Sequence, residues 1–231
     1  MASTLWVAGG NRALRHALRD RLPGAIRETV EPCLTRWDEV DWFFSRHHPK
    51  QVLLLGGPSG GIGLNRRRPA DLVRDNMLTI AHVLDAAQRH GVVSLLCLAS
   101  SCCYPRDCPQ PMRPEYLWSG PLEPTSRAYA AAKLAGIELC LAYRAQYEMP
   151  ALVGIPATVY GVAEEDDRED GDLPVVADLM RRMRQAREAG AGVFTVWGSG
   201  EPLREFIHVN DLADACDFLL NRCGQPPDPI I

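Results

Sequence analysis

Residues 92–101 read VVSLLCLASS, an apolar run with almost no polar alternation, closed by two serines. A strand with one wet face alternates apolar and polar side chains; a continuous apolar run belongs to a strand covered on both faces. On its N-terminal side, Asp71–His90 carries Leu72, Met77, Ile80, Val83, Leu84 and Ala87 at helical spacing. On its C-terminal side, Ser126–Tyr147 reads as a helix and Leu152–Ile155 as another strand, stopped by Pro156. The same alternation runs through the first half. A strand at Leu5–Ala8 ends in Gly9-Gly10, and a helix covers Ala13–Leu22. A second helix opens near Trp37-Asp38, and a strand at Val52–Leu55 ends in Gly56-Gly57. Beyond Pro156 the pattern predicts a helix over Val175–Ala189, a short strand at Phe194–Trp197 and a helix over Asp211–Leu220. This order predicts an α/β protein, a doubly wound parallel sheet with helices on both faces. Its binding residues belong at the carboxyl ends of the strands. Residues 1–223 read as one domain, with a substrate-side segment at about 157–210 embedded, and 224–231 as an irregular tail.

Composition narrows the function. The chain has 231 residues, 46 % hydrophobic and 23 % charged, with a net charge of −4. That balance suits a globular core and disfavours nucleic acid as a partner, which needs a basic face. No apolar run approaches the ~18 residues of a membrane span. The opening MASTLWVAGGNRALRH lacks the apolar core of a signal peptide, so a cytoplasmic location is expected. Eight cysteines show no paired metal spacing, so no metal site is expected and the thiols are read as reduced and mostly buried. Arg66-Arg67-Arg68 reads as a solvated helix entry or a phosphate contact. The acidic run at 164–172 reads as a solvated loop or as part of a site wall.

The chemistry concentrates in Tyr129-Ala-Ala-Ala-Lys133. Residues four apart share a helix face. An ammonium beside a phenol favours the phenolate, which predicts a lowered Tyr129 pKa and proton exchange with a carbonyl or hydroxyl. Ser100, at the end of the preceding strand, can hydrogen-bond the same substrate oxygen.

A strand ending in serine, followed by YxxxK, resembles the extended short-chain dehydrogenase/reductase superfamily, with its Rossmann-like fold. The closer resemblance is to the GDP-L-fucose synthases, NADP-dependent epimerase/reductases of nucleotide-sugar metabolism. It rests on GGPSGGIGLN (56–65), LASSCCYP (98–105), LEPTSRAYAAAKLAGIELCLAYRAQY (122–147) and VWGSGEPLREFIHVNDLADA (196–215). The resemblance implies Ser100, Tyr129 and Lys133 as the catalytic set, with Cys102 moving protons on sugar carbon. A thiol suits that role when its pKa is depressed. It also implies cofactor contacts by Gly9, Gly57, Lys133 and Pro156, and by Arg12 and Arg15 at the glycine turn. Ser101, Trp197 and Arg204 would meet the substrate. A homodimer through the helices at 71–90 and 126–147 is implied by the same analogy.

The sequence departs from the family pattern in four places. Of the three glycines of G-x-x-G-x-x-G only Gly9 is kept; Arg12 and Arg15 stand at the second and third positions. Those arginines add bulk where backbone meets pyrophosphate and helix meets strand. Arg36 aligns with an acidic adenine-side residue. The second epimerisation residue, a histidine in the family, aligns with Gly171; no histidine occurs between His90 and His208. The chain also stops at Ile231, so a reduced C-terminal substrate lobe is expected. The resulting expectation is a nucleotide-sugar or related ketone epimerase/reductase using NADP. The alternatives are a cofactor-independent isomerase, dehydratase or lyase, and an inert homologue acting as a binding or partner subunit.

Overall fold

The computed structural model describes residues 4–27, 31–162, 173, 175–196, 198–201, 203–223 and 228–231. Four strands, β1 (Leu5–Gly9), β2 (Gln51–Gly56), β3 (Ser94–Leu98) and β4 (Ala151–Gly154), form one all-parallel sheet in that order. On the outer side of β1, Leu5 bridges to Ala25; on the outer side of β4, Val153 bridges to Ile230. The chain therefore leaves β1 toward one edge and returns to β2 on the other side, and β1/β2 is the topological switch point.

Helices cover both faces, and the pleat sorts the side chains between them. Leu5, Val7, Leu53 and Leu55 pack with Leu18 of α1 (Arg12–Arg21) and Leu212 of the C-terminal helix at Val209–Asn221. Trp6, Ala8, Val52 and Leu54 face the other way. They meet α2 (Trp37–His47) and two 21-residue helices at Pro69–Arg89 and Arg127–Tyr147. Trp6 stacks on Phe43 with ring centroids 4.4 Å apart. Burial of each such large apolar side chain stabilises by about 1.5–3 kcal/mol. The two long helices pack against each other within the chain.

Local signals explain the boundaries. Asn11 caps α1 by accepting from Leu14 N at 2.6 Å. The helix from Pro69 has its proline at the first position, where no N–H is missed. Glu148 takes a left-handed φ of 53° after the helix ending at Tyr147, and Pro150 follows.

Several elements differ from expectation. A six-residue helix, α3 (Ile62–Arg67), precedes the Pro69–Arg89 helix, α4; Arg127–Tyr147 is then α5. Two three-residue strands, β5 (Thr158–Tyr160) and β6 (Phe206–His208), pair in a separate parallel sheet. Phe194–Val196, expected as strand, are irregular, because β6 is the partner that β5 takes. Between them lies α6 (Val175–Glu188), and Val209–Asn221 is α7. The tail ends in backbone pairing: Pro229 O accepts from Val153 N at 2.8 Å and Ile231 N donates to Val153 O at 2.9 Å. No described helix is long and apolar enough to cross a membrane. The eight cysteines are free, and no group among the described residues could hold a metal ion.

Candidate active site

The site forms where β1 and β2 stop. Gly9 and Gly56 have φ of 75° and 92°, a backbone region that L side chains resist. A Cβ on Gly9 would run into Gly56 O, and one on Gly56 would run into Lys133 Nζ. Gly10 N donates to Gly56 O at 2.6 Å, which ties the two strand ends together. Over this edge lies a cleft of about 550 Å³ whose wall includes Gly10, Asn11, Ser100, Cys102, Tyr129 and Pro156. Ligand sites run from roughly 300 to 1,000 Å³.

Ser100 follows β3 and caps a single 3-10 turn at Ser101–Cys103, its Oγ accepting from Cys102 N at 3.3 Å. That turn brings Ser100, Ser101 and Cys102 to the cleft together. Cys103 points into the core, and burial pushes its thiol up to about 12.

Tyr129 lines the cleft from the first turn of α5. Lys133, one turn on, is 2 % exposed and lies behind the wall. Its Nζ donates to Leu55 O and Leu98 O, both at 2.8 Å, and stands 5.8 Å from the Tyr129 ring centroid. The ammonium thus ties the ends of β2 and β3, and burial lowers its pKa. The Tyr129 pKa is raised, by burial first and by Cys102 and Cys103 next, with the Ser100 side chain pulling the other way. The expected depression of the phenol by Lys133 does not occur. The ammonium is engaged by two backbone carbonyls, and desolvation of the phenolate outweighs it.

The two arginines of the glycine turn do not enter the cleft wall. Arg15 folds back on the turn, donating to Gly9 O at 3.1 Å and pairing with Glu31 at 3.4 Å. Arg12 is exposed at the first position of α1. The bulk of Arg15 thus lies along the turn itself. Gly57 lies against Asn76, whose backbone a Cβ there would meet at 2.9 Å. Arg204 is exposed, donates to Leu203 O at 2.9 Å and stands apart from the cleft wall. Arg36 is paired with Asp38 at 2.9 Å on an exposed surface. Trp197, Gly171 and the acidic run at 164–172 lie outside the described residues.

The NAD dependent epimerase/dehydratase family matches residues 6–230. The chain belongs to this family. GDP-L-fucose synthase 1 of Arabidopsis thaliana is 46 % identical over 197 residues, 85 % of this chain and 60 % of that protein. GDP-L-fucose synthase of Escherichia coli (strain K12) is 37 % identical over 219 residues, 91 % and 67 %. The chain thus spans about three-fifths of the length of the plant relative. Among solved structures, a GDP-mannoheptose C4 reductase from Campylobacter jejuni with NADP bound superposes with a TM-score of 0.80. It is 26 % identical, over 94 % of this chain and 72 % of that one.

Within this family member, two asparagines at or behind the cleft are among the residues that escaped the sequence reading. Asn76, fully buried in α4, accepts from Gly57 N at 3.0 Å and donates to Pro58 O at 2.8 Å and Leu72 O at 2.9 Å. Its signal was present: it sits four residues after Leu72 and four before Ile80, a polar side chain on the apolar stripe. Asn65 in α3 donates to Gly60 O and Gly61 O at 3.1 and 3.0 Å, and its buried Oδ1 has no partner. Nothing in the spacing around Asn65 announces it.

Proposed function

We propose that the chain is an NADP-dependent epimerase/reductase of a nucleotide-linked keto sugar. The observation that carries the reading is the convergence of Ser100, Cys102 and Tyr129 on one cleft that reaches the Gly10–Asn11 turn. Family membership and the epimerase/reductase relatives support it. An inert scaffold has no physical need for that convergence.

The residues present fit a dinucleotide. Gly10, Gly60 and Gly61 line the cleft and add no side chain to its wall, and Arg12 and Arg15 stay out of that wall. The first-turn amides of α1 would face the pyrophosphate, and Pro156 and the Lys133–Tyr129 side of the cleft would hold the nicotinamide half. When bound, NADPH supplies hydride. Tyr129 then gives its proton to the carbonyl oxygen. A phenol is protonated at neutral pH, as an acid requires, and burial holds it in that form. Ser100 hydrogen-bonds the same oxygen. Cys102 exchanges a proton with the carbon beside the carbonyl. Lys133 holds the ends of β2 and β3 in register beneath these groups. The reading includes a homodimer across the outward faces of α4 and α5 and a cytoplasmic setting.

One observation favours cofactor-free isomerase, dehydratase or lyase chemistry on the same residues: Asn11 Oδ1 already occupies Leu14 N, an amide that a phosphate would otherwise take. Titration with NADPH, followed by nicotinamide fluorescence and thermal stability together, separates the two. Binding raises stability once the ligand exceeds its dissociation constant. No shift at millimolar NADPH refutes the dehydrogenase reading.

A further inference from the structure

Charge is scarce in the cleft wall. Among the described residues that line it there is no lysine, arginine or histidine, and there is one carboxylate, Asp178. Its other polar side chains are hydroxyls, amides and the Cys102 thiol, with Thr125, Ser126 and Thr158 among the lining residues beside Tyr129.

Asp178 belongs to the first turn of α6 and is 8 % exposed. Arg181 Nη2 reaches its Oδ1 at 3.2 Å, and Arg182 Nη1 reaches its Oδ2 at 3.5 Å. Neither arginine lines the cleft. Arg181 is itself buried. Arg182 turns away, with Nη2 donating to Thr195 O at 2.9 Å and its guanidinium 5.2 Å from the Phe194 ring centroid. The carboxylate is therefore held from behind and presented to the cleft. Two guanidinium contacts leave part of its acceptor capacity, about four lone-pair sites, unfilled. What remains can take only a donor, an O–H or N–H.

Resting on the nucleotide-sugar reading, we propose that Asp178 is a specificity-determining residue that accepts a hydrogen bond from a hydroxyl of the sugar. A purely structural ion pair within α6 would serve helix stability without affecting what the sugar adds to binding.

The test measures dissociation constants for GDP-L-fucose and for GDP by calorimetry, in wild type, Asp178→Ala and Asp178→Asn. The ratio of the two constants isolates the sugar and cancels changes in nucleotide binding that follow from releasing Arg182. A hydrogen bond to a charged group is worth roughly tenfold or more in affinity. The ratio should fall by about that factor in Asp178→Ala and by less in Asp178→Asn, whose amide still accepts. Asp178→Asn keeps the side-chain volume and carries the test if the alanine variant does not fold. A ratio unchanged in folded variants overturns the role of Asp178 alone. Wild-type protein that binds neither compound overturns the nucleotide-sugar reading, and this proposal with it.

Discussion

Replacing Asn76 with alanine tests how the loop behind the cleft is held. The side chain makes three hydrogen bonds, but they do not weigh equally. Leu72 O lies within α4 and keeps its place in the helix ladder, so losing Asn76 Nδ2 there costs little. Pro58 is exposed, and water can reach its carbonyl. Gly57 N is buried, and without Asn76 Oδ1 it is left with no partner; such a group costs about 1–3 kcal/mol. Adding a modest loss at Pro58 gives ~3 kcal/mol in total, offset slightly by the better helix propensity of alanine. At about 2–4 °C per kcal/mol for a domain of this size, the melting temperature should fall by roughly 6–12 °C. Asn76→Asp should fare no better. Its carboxylate still accepts from Gly57 N but sets oxygen against the Pro58 and Leu72 carbonyls. Calorimetric melting of wild type and both variants checks this. An alanine variant that melts within about 2 °C of wild type refutes the reasoning, because the Gly57 amide would then have found another partner.

Tyr129→Phe removes the phenol and little else. It should abolish turnover of any sugar nucleotide that the wild type converts, while NADPH binding and melting stay as in wild type. Normal turnover would show that the proton comes from another group. Cys216 offers a stability test away from the cleft: burial pushes its thiol up to about 12, against an ordinary 9.0. The folded value lies above the unfolded one, so the stability contributed is whole below pH 9 and is lost as pH climbs from 9 towards 12. Between pH 8 and pH 10 the stability of wild type relative to Cys216→Ala should drop by roughly 1 kcal/mol in urea titrations. An equal gap at both pH values would contradict the buried, protonated thiol.

Much of the fold was legible because parallel strands buried on both faces leave unbroken apolar runs, as at Gln51–Gly56 and Ser94–Leu98. Their ends were marked by Gly9-Gly10 and Gly56-Gly57. The small elements were not legible. Six residues of α3 are too few to show a helical period, and β5 and β6 offer three residues each. The site was half legible. The four-residue spacing placed Tyr129 and Lys133 on one helix face, and the Ser100–Cys102 turn followed its strand as read. Spacing says nothing of where an ammonium goes once inside. Burial drew Lys133 to the Leu55 and Leu98 carbonyls, away from the role in depressing the phenol that proximity suggested. The course of Arg15 was out of reach of the sequence for a related reason. A long side chain at a glycine position need not fill the glycine's space when it can fold along the backbone, as Arg15 does over Gly9 O. Asp178 stayed unread because its meaning depends on two arginines behind it and a cleft in front.

The short pairings outside β1 and β4 have a consequence for solubility. A parallel sheet of four strands exposes two rows of backbone donors and acceptors, each a template onto which another molecule's strand can be added. Here both rows are interrupted. Leu5 N donates to Gly24 O and Leu5 O accepts from Ile26 N on one side; Val153 and Ile155 are taken by Pro229 and Ile231 on the other. These fragments cover part of each row. Removing residues 229–231, or replacing Ala25-Ile26 with flexible glycines, would uncover an apolar edge. Self-association of folded molecules would then set in before any loss of the core.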